Sequence, residues 1–176
     1  MKTTEKKNIY LVQVDLAYGE DDKAVYLPYA VGLLAAYAWQ DAFIREHYRL
    51  GGLLFTRNDI EQAIGALEKP YLVGFSNYVW NFEYNKRFAE CLKERFPDCI
   101  VVFGGHNVPP DTSLLEQCPY IDILVHGEGE DAFKNLLTAL GKGGSLAEIP
   151  NISFRDKTTN PVSSPPVAIS RPLEND

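Results

Sequence analysis

The feature that most constrains the fold of this chain is a fivefold alternation of short apolar runs with segments of helical periodicity. The apolar runs are bounded by polar or glycine-containing segments and occupy residues 9–14, 48–56, 71–75, 100–103 and 121–125. Runs of this length, rich in β-branched residues, are typical of buried strands. The run at residues 100–103 is the most apolar, so we expect that strand inside the sheet rather than at its edge.

Signals for helices stand between these runs. Pro28 suits the first turn of a helix, Asn58 with Glu61 has the form of a capping box, and Asn81 is predicted to cap a helix that reaches residue 96. Strand–helix alternation predicts a parallel sheet with right-handed crossovers and helices on both faces. With five strands, the prediction is a flavodoxin-like (Rossmann-like) α/β fold with the strand order 2-1-3-4-5.

The composition changes near residue 149. Five of the eleven prolines lie between residues 150 and 176. We therefore predict an α/β domain at residues 1–148 and a C-terminal segment at residues 149–176. In that segment, residues 152–155 are expected to form a strand and residues 156–160 to turn back toward Val162, which gives a small hairpin followed by a tail with the character of a linker.

Charge and composition disfavour several classes of partner. The net charge of −7 repels phosphate backbones, so nucleic acid is not expected as a partner. The longest uncharged stretch, residues 24–40, is interrupted by Pro28 and Gly32 and is shorter than the ~20 residues of a membrane span. The polar N-terminus does not resemble a secretory signal. Three cysteines without framework spacing favour free thiols and a cytoplasmic location.

Unusual loop sequences follow three of the predicted strands. One loop holds Ser76, Asn77 and Tyr78, the next begins with the glycine pair at residues 104–105 and His106, and a third reads Gly-Glu-Gly at residues 127–129. In open α/β sheets, ligands bind at the carboxyl ends of the strands, where glycines let a backbone approach a ligand closely. These loops predict a small-molecule site on one rim of the sheet.

The sequence excludes some ligands of such a site and leaves one open. The segment after the first strand lacks G-x-G-x-x-G, and no P-loop pattern occurs, so a dinucleotide is not expected. Flavin mononucleotide remains an alternative. His126 with Glu128 and Glu130 offers metal donors, but both glutamates suit the first turn of a helix equally well. No cysteine has the spacing or the paired histidine of a nucleophile, so we expect no catalytic residue and no metal site.

Three segments carry a resemblance to a known family. YLVGFSNYVWN from Tyr71, FPDCIVVFGGH from Phe96 and HGEGE from His126 resemble the N-terminal cobalamin-binding domain of B12-dependent radical SAM enzymes. YLPYAVGLL from Tyr26 is similar to the first helix of that family. The resemblance covers nearly the whole chain and depends on the order and spacing of the segments together.

The resemblance implies a corrinoid that lies across the strand ends. The backbone at residues 104–105 would pass under the ligand, Ser76 would face its nucleotide tail, and residues 127–129 would close the far side. Residues 15–19 would lie below the ring. The implied cofactor-binding residues are Asp15, Ala17, Tyr18, Gly19, Ser76, Asn77, Tyr78, Gly104, Gly105, His106, Gly127, Glu128 and Gly129.

The chain departs from related patterns at two points. Corrinoid domains of the mutase type carry D-x-H-x-x-G, whereas here Ala17 stands in the place of the cobalt-ligating histidine. Cobalamin without a histidine lower ligand is therefore expected. The cluster motif C-x-x-x-C-x-x-C is absent, so a 4Fe-4S cluster and S-adenosylmethionine are expected only in a longer parent protein. We expect no iron in this chain, which would be covalently linked to a downstream radical SAM domain.

Three functions remain after the sequence analysis. The first is a cobalamin-binding accessory domain of a radical SAM enzyme, not catalytic by itself. The second is a flavodoxin-like domain that binds another small ligand such as a flavin. The third is a domain without a cofactor that serves substrate or partner contacts. Under the first, a bulky side chain at Gly105 is expected to block binding without disturbing the fold.

Overall fold

The computed structural model describes residues 5–15 and 27–156, which form one sheet with helices on both faces. The strands are β1 (Lys7–Val12), β2 (Tyr48–Leu54), β3 (Pro70–Ser76), β4 (Ile100–Gly104), β5 (Ile123–Val125) and β6 (Ile152–Phe154). Their order in the sheet is β2-β1-β3-β4-β5-β6. The first five strands are parallel in the predicted order, and β4 lies inside the sheet as expected.

The helices divide between the two faces of the sheet. They are α1 (Tyr29–Ala38), α2 (Ala42–His47), α3 (Ile60–Gly65), α4 (Phe82–Arg95), α5 (Ser113–Gln117) and α6 (Glu130–Lys142), followed by a 3₁₀ turn at Leu146–Glu148. Residues of α3, α4 and α5 contribute to one apolar core, and residues of α1, α2 and α6 contribute to the other. The predicted two-faced arrangement is therefore confirmed.

Strand β4 shows why the sheet is covered on both faces. Val101 and Phe103 pack into the core beneath α4, while Val102 packs into the core beneath α6. Successive side chains of a strand point to opposite faces, so an uninterrupted apolar strand must be buried on both. Because all three side chains are buried, β4 is held in the middle of the sheet, and this fixes the position of the glycine pair at its carboxyl end.

The prediction of five strands is wrong by one strand. Residues 152–154 pair antiparallel with β5, Ile152 opposite Val125 and Phe154 opposite Ile123. The reason is physical: β5 would otherwise expose an unpaired edge, and Ile152 and Phe154 add apolar side chains to the core beneath α6. The second arm of the predicted hairpin, toward Val162, lies outside the described residues.

Two predicted helix caps differ in the structure. Asp59, not Asn58, caps α3, and its carboxylate accepts a hydrogen bond of 3.0 Å from the Gln62 amide. Asn81 stands at the N-cap position of α4, but its side chain makes no cap bond and serves the strand ends instead. Among the helices of the described ranges, none combines the length and the hydropathy that a membrane span requires.

Candidate functional site

A cleft of about 700 Å³ opens where the carboxyl ends of the parallel strands face α1 and the first turn of α6. Leu11 and Val102 form part of its apolar floor. The predicted site residues that line it are Ser76, Tyr78, Gly104, Gly105, His106, Gly127, Glu128 and Gly129. The structure therefore brings the three predicted loops together around one cavity.

The other predicted residues have different places. Asn77 is fully buried beneath the cleft and does not line it. Asp15 follows β1, is half-buried, and is not among the residues that line the cleft. Ala17, Tyr18 and Gly19 lie outside the described residues, so their predicted place below a ring stays a prediction.

The wall formed by α1 was not among the predicted site residues. Tyr29, Leu33 and Leu34 line the cleft, and Tyr29 and Leu33 are 76% and 41% exposed. The side chain of Gln13 holds the start of this helix near β1, because its Oε1 accepts a hydrogen bond of 3.2 Å from the Val31 amide. The sequence did contain a signal for this wall. The helix is apolar on nearly all sides, so some of its large apolar side chains remain outside the core.

Buried asparagines fasten the strand ends that form the rim. Asn81 is fully buried, and its Nδ2 donates to the carbonyls of Val14 at 2.9 Å and Ser76 at 3.1 Å. Its Oδ1 accepts from the Tyr78 amide at 2.8 Å. One side chain therefore joins the chain after β1 to the end of β3 and shapes the loop that carries Tyr78.

Asn77 makes the corresponding connection between β3 and β4. Its Nδ2 donates to the carbonyls of Phe75 at 3.0 Å and Gly104 at 3.1 Å, and its amide donates to the same Gly104 carbonyl at 2.7 Å. Asn85 Nδ2 in turn donates to Asn77 Oδ1 at 2.9 Å. The four-residue spacing of Asn77, Asn81 and Asn85 in the sequence was the signal for this network, which sequence reasoning missed.

The two glycines at the end of β4 have separate roles, Gly104 as the last residue of the strand and Gly105 as the first residue after it. Gly105 has a φ of +100°, and a Cβ there would lie 2.8 Å from both the backbone N and O of Asn77. The expectation that a bulky side chain at Gly105 leaves the fold intact is therefore wrong, because that side chain would strike the rim itself. At Gly104, a Cβ would meet only Val125, at an ordinary distance of 3.5 Å. The backbone at this position therefore does not require glycine, and the missing side chain serves to leave the cleft open.

An aromatic group stands at the mouth of the cleft. The rings of Tyr78 and Trp80 stack with their centroids 4.7 Å apart, and the exposed His106 ring lies 5.6 Å from Tyr78. The Trp80 carbonyl accepts a hydrogen bond of 2.8 Å from Arg57. Flat side chains beside a glycine loop offer a surface against which a planar ligand can pack.

His126 is placed differently from His106. It is buried, its Nε2 lies 2.9 Å from Ser153 Oγ, and its amide donates to the Asn151 carbonyl at 2.9 Å. Burial lowers the pKa of His126 below its ordinary value. His126 therefore joins the start of the glycine loop at residues 127–129 to β6. In the part of the chain that the structure describes, no three His, Cys, Asp or Glu side chains are grouped as metal ligands.

The three cysteines are all buried and unbridged. Burial raises the pKa of Cys99 to about 12 and also raises the pKa of Cys91. Thiols in such surroundings stay protonated and behave as small apolar side chains. None of them lines the cleft.

Comparison with known proteins gives one family match. A family described as the B12 binding domain matches residues 23–137. The cobalamin-dependent radical SAM methyltransferase TokK of Streptomyces tokunonensis is 37% identical over 135 residues, which cover 76% of this chain and 20% of that protein. The 2-(S-pantetheinyl)-carbapenam-3-carboxylate methyltransferase of Streptantibioticus cattleyicolor is 34% identical over 151 residues, 85% of this chain and 22% of that protein.

Solved structures share the fold. A cobalamin-dependent S-adenosylmethionine radical enzyme, OxsB, solved with aqua-cobalamin and S-adenosylmethionine bound, superposes with a TM-score of 0.68 at 21% identity, over 94% of this chain and 23% of that chain. The radical S-adenosylmethionine methyltransferase TsrM from Kitasatospora setae gives 0.59 at 22% identity, over 86% and 29%. The chain spans about a fifth of the length of the curated relatives named above.

Proposed function

Because the chain belongs to the B12-binding domain family, we propose that it binds a corrinoid at the carboxyl ends of its parallel strands. The observation that carries this proposal is the cleft of about 700 Å³, in which the glycine loops and the Ser76 loop meet the apolar wall of α1. A cleft of this size is within the range of small-molecule sites. Cobalamin is also named in the descriptions of relatives and of solved structures with this fold.

The residues present fit such a ligand. A side chain at Gly104 would fill part of the cleft, and its absence leaves room for the nucleotide tail between Ser76 and the loop after β4. A complete cobalamin is larger than the cleft, so the ring would extend over the rim, where Tyr29 and Leu33 expose apolar surface. A bound corrinoid supplies group-transfer chemistry at its cobalt, while this chain binds and orients it.

We propose further that no histidine ligates the lower face of the cobalt. Ala17 has no ligating atom. His126 is buried against Ser153, and His106 is the one histidine among the described residues that line the cleft. The electron paramagnetic resonance spectrum of bound cob(II)alamin tests this. We expect no nitrogen hyperfine triplet that depends on a histidine of this chain, whereas a triplet that His106→Ala removes would overturn the proposal.

The role within a longer protein is also a proposal. The two curated relatives are about four times as long as this chain, since the matched 135 and 151 residues are 20% and 22% of their lengths. We propose that the chain serves as an accessory domain covalently linked to a downstream radical SAM domain, which would hold the 4Fe-4S cluster and S-adenosylmethionine. The buried positions of Cys91, Cys99 and Cys118 support the placement of the cluster in the downstream domain rather than in this chain. Iron analysis of the purified chain should give less than stoichiometric metal, and a C-x-x-x-C-x-x-C motif is expected downstream.

Titration with hydroxocobalamin and, in parallel, with flavin mononucleotide tests the proposed function. Changes in the visible bands should saturate with hydroxocobalamin and should not appear with the flavin. Saturation with the flavin alone would favour the second function, and no binding of either would favour a domain that has only substrate or partner contacts.

A further inference from the structure

The charged groups that line the cleft are all acidic among the described residues. Glu128 and Glu130 line it, whereas no lysine or arginine from residues 5–15 or 27–156 does. A ligand that enters this cleft therefore meets carboxylates rather than cations.

Carboxylates of the protein itself occupy the start of the helix that follows this glycine loop. A glycine-rich loop that leads into a helix N-terminus ordinarily favours phosphate or carboxylate groups of a ligand. Here α6 begins at Glu130, and Glu130 and Asp131 occupy its first turn. The Asp131 carboxylate accepts hydrogen bonds from Tyr37 at 2.6 Å and Lys134 at 3.1 Å, which lower its pKa and keep it ionised. The positive end of the α6 dipole, which would otherwise attract an anionic ligand, is therefore already paired with carboxylates of the protein.

The two glutamates in the cleft differ from Asp131 in one respect. The Asp131 carboxylate accepts hydrogen bonds from Tyr37 and Lys134, whereas the side chains of Glu128 and Glu130 form no hydrogen bond or ion pair with another described residue. Both face a cavity whose walls are otherwise apolar, glycine or neutral polar. Carboxylates in this position accept hydrogen bonds from N–H donors of a ligand and repel carboxylates that the ligand brings close to them.

We propose that Glu128 and Glu130 make the cleft selective for corrinoids whose peripheral side chains are primary amides. Corrinoids with free carboxylates at those positions are rejected. The proposal rests on the proposed function, since it concerns the same cleft. Primary amides present N–H donors to the glutamates, whereas ligand carboxylates bring like charges together at the wall of the cleft.

The test compares two probes that have the same cobalt ligands. Dicyanocobinamide carries amides, and dicyanocobyrinic acid carries carboxylates. The wild-type chain should bind dicyanocobinamide at least about tenfold more tightly at low salt, because like charges oppose the acid. The preference should decrease in 1 M sodium chloride, where the screening length falls to about 3 Å. Equal affinities at low salt, or a preference that salt does not change, would overturn the proposal.

The double variant Glu128→Gln, Glu130→Gln assigns the effect to these residues. Glutamine keeps a hydrogen-bond acceptor but removes the charge, so the acid should bind more tightly and the preference should fall below about threefold. Glu94→Gln, on the exposed surface of α4, is the matched control with the same change in charge per site. It should keep the wild-type preference.

The outcomes separate the two proposals. An unchanged preference in the double variant overturns the assignment to Glu128 and Glu130 while the proposed function stands. If the wild-type chain binds neither hydroxocobalamin nor dicyanocobinamide, the proposed function itself fails and the selectivity falls with it. Circular dichroism of each variant controls for folding, and the salt dependence of the wild type decides the matter if the double variant does not fold.

Discussion

Single side chains at the rim of the cleft divide into those that face the ligand space and those that hold the backbone in place. Ser76 is of the first kind, because its buried side chain lines the cleft at the end of β3. Ser76→Ala should weaken hydroxocobalamin binding by about 0.5–1.5 kcal/mol, the value of one hydrogen bond to a neutral partner. Ser113→Ala, in α5 and outside the cleft lining, should not change the affinity. An unchanged titration midpoint for Ser76→Ala would remove Ser76 from the site.

Asn81 is of the second kind. Its side chain makes three hydrogen bonds to the backbone of Val14, Ser76 and Tyr78, and it is fully buried. Asn81→Ala leaves buried backbone groups without partners and should lower the free energy of unfolding by about 3 kcal/mol. Urea denaturation measures this. Asn107→Ala is the control and should lower the free energy of unfolding by less than about 0.5 kcal/mol. A similar decrease for the two variants would contradict the role of Asn81.

His126 makes the stability of the domain depend on pH. Its pKa is lowered in the folded state by burial, while an imidazole in the unfolded chain titrates near ~6.5. Below that pH the unfolded chain binds more protons, so the stability is complete above pH ~6.5 and decreases as the pH falls toward the lowered pKa. Denaturation between pH 5 and 7.5 should show this decrease, and His126→Gln should flatten it. The exposed His106 is the control: His106→Gln should keep the wild-type dependence.

At the scale of elements, β6 completes the sheet that carries the cleft. Ile152 and Phe154 pair with β5 and are buried in the core beneath α6, and His126 is joined to Ser153. A chain ending at residue 148 should therefore be less stable than one ending at residue 156 by at least about 3 kcal/mol, since two large apolar side chains are lost. Thermal or urea unfolding of the two truncated chains measures the difference. Equal stabilities would show that the domain ends at residue 148, as the composition alone predicted.

Strands β4 and β6 show where prediction from the sequence succeeds and where it fails. The run at residues 100–103 predicted an internal strand correctly, because a strand that is apolar on both faces can be buried only inside a covered sheet. The pairing of residues 152–154 could not be derived, since a three-residue strand adds to whichever edge the tertiary fold leaves open. The local sequence pattern does not show which edge of the sheet remains open.

At the scale of the whole molecule, the glycine and hydroxyl loops were predictable because parallel strands bring their carboxyl ends to one edge. Eight predicted residues line the cleft for this reason. The wall formed by Tyr29 and Leu33 and the asparagine network were not predicted. The first depends on which face of an apolar helix meets the cavity, and the second on hydrogen bonds between residues distant in sequence, such as Asn81 and Val14.

The central claim, that a corrinoid binds in this cleft, is tested most directly by hydroxocobalamin titration of Gly104→Leu. A leucine at Gly104 should fold, because its Cβ meets Val125 at an ordinary distance of 3.5 Å, while the rest of the side chain occupies the cleft. Gly144→Leu, exposed beyond the far end of α6, is the matched control. The account predicts that the visible bands of hydroxocobalamin shift with the wild type and Gly144→Leu but not with Gly104→Leu, and a folded Gly104→Leu that binds as tightly as the wild type would contradict it.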